Sequence, residues 1–167
     1  MKKRIALLIM VLISISSQGQ QSMFKALFMF NFAKYIEWPN INNSDNFTIA
    51  IIGTDDINTE LKKLSSSKKI NNKSIVIKTI KHPNEAADAQ IVFIPENKSG
   101  NLDQVLSFYE TKPTLIITDK DGYCAKGSCI NYTLQNGKLK YEISKERISN
   151  QNLKVDQKLV SLGIEIK

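Results

Sequence analysis

At 167 residues, with 42% of them hydrophobic, the chain is long enough for one ordinary domain with a real core. Its formal charge is +7, from 23 basic and 16 acidic residues. With a single histidine and two cysteines, the chain is short of the Cys and His that a metal centre built on them would want.

The chain opens Met1-Lys2-Lys3-Arg4, then an apolar run from Ile5 to Ile13, then the small residues Ser16, Ser17 and Gly19. This is the order of a secretory signal, with the cut expected after Gly19. The apolar run falls short of the roughly 20 residues that span a bilayer. An uncleaved N-terminal anchor is the alternative. No cysteine lies near the cut to carry a lipid. The reading divides the chain into a signal over 1–19 and a working domain over 20–167. It also reduces the net charge to +4, because the signal holds three bases and no acid. That balance is weak support for a nucleic-acid partner.

Ser22 to Glu37 reads as a helix, capped by Ser22 and stopped by Trp38-Pro39. Asn31, Lys34 and Glu37 form its one polar stripe, and apolar residues fill most of the rest. Such a helix needs cover on several sides: a sheet on one is the plain explanation, and a partner or twin subunit on another is the sharper one. Tyr35 and Trp38 are expected to anchor its end in the core, and Pro39 to serve structurally as its stop. Lys34 and Glu37 are candidates for contact with a partner.

Phe47 to Ile52 reads as a strand ending in Gly53-Thr54-Asp55-Asp56. Asp55 or Asp56 then caps a helix to about Leu64. Gly53, Thr54 and Asp55 stand where open α/β sheets bind ligands, so they are ligand-turn candidates, although a plain capped turn explains them as well. Lys62-Lys63 and Lys68-Lys69, flanking Ser65-Ser66-Ser67 and Asn71-Asn72, read as an exposed loop. Ser74 to Ile80 is a strand, broken by His82-Pro83, with a short helical turn over Glu85 to Ala89. Gln90 to Ile94 is a strand, Leu102 to Tyr109 a helix and Thr114 to Thr118 a strand.

Cys124 and Cys129 follow. An even pair in an exported protein favours a disulfide closing a small loop around Gly127. A redox dithiol is the alternative, but the CxxC spacing is missing. Cys129 to Leu134 and Lys138 to Ile143 are strands joined through Asn136-Gly137, a strong hairpin signal. Arg147 and Lys154, in the polar C-terminal stretch, are further partner candidates. Leu153 to Gly163 closes the chain as an apolar tail. The alternation of strands and helices predicts an α/β fold with Rossmann-like layering: a mainly parallel twisted sheet flanked by helices, with an antiparallel hairpin at one edge.

Catalytic signatures are missing. There is no GxGxxG and no Walker loop. Asp119-Lys120-Asp121-Gly122 begins like a calcium loop but lacks the later oxygen ligands, and reads as a turn. No nucleophile or acid is placed with His82 by any motif. The sequence therefore points away from an enzyme, and it implies no cofactor and no metal. Asn-x-Ser/Thr triplets such as Asn46-Phe47-Thr48 are expected by chance in so asparagine-rich a chain.

Taken together, several segments resemble one family. Residues Phe24 to Pro39 are similar to the opening helix of the YfiR family of periplasmic proteins, with its pattern "kAxflxxFakyveWP". Ile91-Val92-Phe93-Ile94-Pro95 and Leu115-Ile116-Ile117-Thr118-Asp119 are similar to its later strands. Gly127-Ser128-Cys129-Ile130-Asn131-Tyr132, Lys140 to Ser144, Leu153-Lys154-Val155 and Leu159-Val160 follow in the same order. Ser128 stands where the family has a second glycine, and the cysteines are closer than those of the family's bridge. The resemblance implies a dimeric periplasmic repressor. Its target would be the periplasmic sensor domain of an inner-membrane diguanylate cyclase, or of a histidine kinase, and an outer-membrane lipoprotein would sequester it. A periplasmic small-ligand module serving a sensor or uptake system is the alternative, resting on the Gly53-Thr54-Asp55 turn.

Overall fold

The computed structural model of the protein describes residues 2–39 and 41–167, with the side chains of 19–39, 41 and 43–167. The expected export signal falls outside the described side chains. Among the described residues, no helix is long and apolar enough to cross a membrane.

In chain order the elements are α1 (Lys2–Tyr35), β1 (Ile36–Glu37), β2 (Asn46–Ile52), α2 (Ile57–Ser67), β3 (Lys69–Ile70) and β4 (Lys73–Ile80). There follow β5 (Ile91–Ile94), α3 (Leu102–Tyr109), β6 (Leu115–Thr118), β7 (Ile130–Gln135) and β8 (Lys138–Ile143). The chain ends with α4 (Lys145–Asn150), β9 (Lys154–Val155), α5 (Gln157–Leu162) and β10 (Ile164–Glu165). Short 3-10 turns cover Pro83–Ala86 and Glu96–Asn101.

Among the described residues, eight strands form one sheet in the order β10-β8-β7-β6-β5-β2-β4-β3. The five from β4 to β7 in that order are parallel to one another. The parallel core of β2, β5 and β6 is apolar at nearly every position, as strands covered on both faces must be. β2 connects through α2 to β4 on one side, and the chain then crosses back to place β5 on the other side of β2. Because these crossovers run in opposite directions, right-handed connections put α2 and α3 on opposite faces. α1 packs against α2 and so shares its face.

Asn136 and Gly137, both with positive φ (51° and 72°), make the two-residue turn of the β7–β8 hairpin, as the Asn-Gly signal requires. The hairpin lies one strand in from the edge, because β10 pairs outside β8. The expected apolar tail is therefore β9, α5 and β10. β9 pairs with β1 in a separate two-stranded sheet. That pairing shortens the expected helix: α1 ends at Tyr35, because Ile36 and Glu37 go to β9 instead. Ser22 does not begin the helix, which runs through it from Lys2; a cap residue permits a helix start but does not compel one. Ser65 to Ser67 likewise belong to α2, and Asn71-Asn72 form a tight turn between β3 and β4 rather than a long loop.

The inner face of α1, with Ala26, Met29, Phe32 and Ala33 fully buried, lies on the sheet. Phe32 meets Tyr141 edge-on at 4.9 Å between ring centres and stacks on Tyr132 at 6.0 Å. Those two tyrosines are cross-strand partners in the hairpin, and Phe93 of β5 completes the cluster. On its outer side, Met23, Phe24 and Leu27 stay about 40% exposed.

Candidate functional site

The crossing of the chain between β2 and β5 creates a topological switch point, where the carboxyl ends of neighbouring strands leave a crevice. The Gly53-Thr54-Asp55 turn stands there. Gly53 adopts φ +73°, and its N–H donates to the Ile80 carbonyl at 2.8 Å. A side chain at Gly53 would collide with Lys98, whose aliphatic stem covers it. The carboxylate of Asp55, not Asp56, accepts from the Ile57 N–H at the start of α2, at 3.0 Å. Of the three turn residues, Asp55 borders a cleft.

That cleft, of about 280 Å³, is bounded by Asp55, Asp56, Glu96, Asp119 and Lys25. A second, of about 180 Å³, shares Lys25, Glu96 and Asp119 and extends to Tyr132. Between them Lys25 of α1 donates to Asp119, the residue just after β6, at 2.5 Å, with both side chains mostly buried. Tyr132 donates to the Lys25 carbonyl at 2.7 Å. Burial raises the Asp119 carboxyl above the usual carboxylate range. The Lys25 ammonium opposes that rise, and the carboxylates of Asp55 and Glu96 add to it. Sequence reasoning saw Asp119 only as the start of a turn, and did not see Lys25, Glu96 or Tyr132. Their one legible signal was position, since Glu96 and Asp119 each fall just past a parallel strand.

Beneath this edge runs a buried polar chain. Ser128 donates to Thr118, Thr118 to Asn131 at 2.8 Å, and Asn131 to Glu142 at 2.9 Å. Ser128 thus uses its hydroxyl to hold the Cys loop to β6. Asp121 accepts from Thr133 at 3.2 Å, which leaves the Asp119–Gly122 segment as a turn. Among the described residues, no group of three or more His, Cys, Asp and Glu is arranged to hold a metal. His82 is exposed, and its backbone N–H donates to the Glu85 carboxylate at 2.8 Å.

Two of the four partner candidates, Glu37 and Lys154, come together. Lys34 is exposed on the last turn of α1, and Glu37 of β1 is the cross-strand partner of Lys154 in β9. Arg147 of α4 lines a cleft of about 610 Å³ with Leu106, Glu110 and Gln151. Tyr35 is half-buried, with the Lys158 ammonium 5.4 Å from its ring centre. Trp38 is buried, donates to the Gln90 carbonyl at 3.1 Å and meets Phe47 edge-on at 5.1 Å. Pro39 is exposed beside it.

Both cysteines are buried and both are free thiols in this structure. Burial pushes each thiol up to about 12, so neither is a thiolate at neutral pH.

No curated protein matches this sequence. Among solved structures, the ABC domain in complex with L-Trp from Streptococcus pneumonia is similar, with a TM-score of 0.58 and 10% identity over 90% of this chain. A conserved domain protein from Vibrio cholerae is similar with a TM-score of 0.54 and 8% identity over 85% of this chain. The chain covers 60% of the length of each. At such identities the likeness is one of α/β fold alone. The family model DUF4154, YfiR/HmsC-like, matches residues 22–164, nearly all of the chain beyond the expected signal. The chain therefore belongs to the YfiR/HmsC-like family, whose members are regulators rather than catalysts.

Proposed function

We propose that the protein is exported, cut after Gly19, and binds the periplasmic sensor domain of an inner-membrane diguanylate cyclase or histidine kinase to hold its output low. Family membership supports the class of function. The observation that carries the binding role is the split personality of α1. One face is sealed on the sheet, while Met23, Phe24 and Leu27 on the other remain exposed. An apolar helix face open to water is the signature of a surface that meets another protein. The charged rim formed by Lys34, Glu37 and Lys154 lies at the end of the same helix. Such a rim sets register and approach more than affinity. A homodimer and an outer-membrane lipoprotein partner belong to the same proposal.

Deleting the gene is expected to raise cyclic-di-GMP or kinase output and to change surface attachment. The double variant Lys34→Glu/Lys154→Glu is expected to reproduce the deletion with an unchanged melting temperature. If all three readouts stay level on deletion, the regulatory reading fails.

The cysteines belong to this reading as a structural bridge formed after export. The intact mass of the exported protein, measured unfolded, is then expected to be lower by two hydrogens and to regain them on reduction. A mass indifferent to reductant would leave two inert thiols instead.

The second reading, a small-ligand module, rests on the cleft at the switch point. One structure of this fold was solved in complex with L-Trp. A thermal-shift screen of amino acids, nucleotides and sugars tests it, since a ligand bound only by the folded state raises the melting temperature.

A further inference from the structure

The positive charge of this chain is concentrated in one place. Residues 57–82 hold seven lysines and one glutamate, while the rest of the chain beyond residue 19 has two more acids than bases. That segment is one continuous piece of structure: α2, β3, the Asn71-Asn72 turn and β4. β3 is the last strand of the sheet and α2 packs against β4, so the lysines rim one end of the molecule. Lys62, Lys63, Lys68, Lys69 and Lys81 are exposed, and Lys73 and Lys78 are half-buried. Among the described residues, only Lys63 of the seven is ion-paired, to Glu60 at 2.7 Å. Lys73 donates to the Ser44 carbonyl.

Protection of a sheet edge explains part of this pattern. Lysines on an exposed strand discourage another chain from pairing with it, which accounts for Lys69 and Lys78. It gives no reason for Lys62, Lys63 and Lys68, which lie on α2 and at its end.

We infer that this end of the sheet is a docking surface for the anionic lipid headgroups of a membrane. The segment contains no arginine and no Phe, Tyr or Trp, so it offers neither bidentate phosphate forks nor base-stacking platforms. That disfavours nucleic acid. Lysine ammonium groups are mobile point charges, suited to a fluid layer of headgroups. The large apolar residues Ile57, Leu61, Ile70 and Ile80 are buried, so the contact is electrostatic and shallow. Each lysine near such a surface contributes about fivefold in affinity, and Lys62, Lys68 and Lys69 together contribute on the order of 100-fold. Docking by this edge does not depend on the partner proposed above.

Cosedimentation of the full chain with phosphatidylcholine vesicles, with and without phosphatidylglycerol, tests the inference. Residues 1–19 carry three further bases, so the comparison is among variants that share them. Binding to the anionic vesicles is expected at about 20 mM salt and is expected to be lost near 300 mM. Lys62→Gln/Lys68→Gln/Lys69→Gln is expected to weaken it by on the order of 100-fold without changing the melting temperature. Lys126→Gln/Lys138→Gln/Lys140→Gln, equal in charge removed, is expected to leave it nearly intact. Equal loss in both triple variants, no preference for anionic vesicles, or capture by heparin but not by vesicles would each overturn the inference.

Discussion

Phe32→Ala is expected to lower the unfolding free energy by about 4 kcal/mol and the melting temperature by roughly 10 °C. Phe32 is fully buried between α1 and the β7–β8 hairpin, against Phe28, Tyr132 and Tyr141. Truncating it removes a ring's worth of burial and leaves a cavity that three other rings cannot collapse to fill. Tyr141 is held by its own hydrogen bond to the Leu159 carbonyl at 2.6 Å, and Tyr132 by its bond to Lys25. One turn and a fraction away, Leu27 is 38% exposed, so Leu27→Ala is expected to cost less than about 1 kcal/mol. Urea unfolding of both variants at neutral pH measures the contrast. Similar costs at the two positions would mean that the outer face of α1 is already covered, which removes the main support for a binding role.

Lys25→Met is expected to destabilise the fold by about 3 kcal/mol at pH 7, because it strands the Asp119 carboxylate in a mostly buried site beside Asp55 and Glu96. The double variant Lys25→Met/Asp119→Leu is expected to recover most of the loss, since both charges are then gone. The pH dependence has a definite sign. Asp119 titrates above its unfolded value, so between the two values the folded state keeps a proton that the unfolded chain has released. Stability from this group is therefore fully present below the unfolded pKa and falls as pH rises through the folded one. In Lys25→Met the folded value rises further, so that variant is expected to regain stability on acidification from pH 7 more than wild type does. Asp119→Asn should lack this dependence. A Lys25→Met variant as stable as wild type, or one whose deficit is the same at pH 7 and pH 4.5, would show that the pair does not hold α1 to the end of β6.

Much of the fold was legible because its signals are local. The apolar runs of β2, β5 and β6, the helical spacing of α3 and the Asn136-Gly137 turn each depend on residues within a few positions of one another. The structure keeps all of them. The order of strands in the sheet is not local, and only the alternation of elements hinted at a parallel core. The misreadings share a cause. Ile36 and Glu37 have good helical neighbours, but a strand more than a hundred residues later claims their backbone. Ser65 to Ser67 look like a loop by composition, yet α2 carries them because its buried face, with Ile57 and Leu61, anchors the whole helix.

The sequence by itself determined the family and the α/β class, because these rest on short motifs in fixed order. Only the tertiary structure decided which residues meet. It brought Lys25 to Asp119 across ninety-four positions, and it brought Glu37 opposite Lys154. It also gathered the lysines of residues 57–82 at one end of the sheet. The physical reason is that side-chain chemistry is written residue by residue, whereas proximity is set by how the whole chain buries its apolar faces at once.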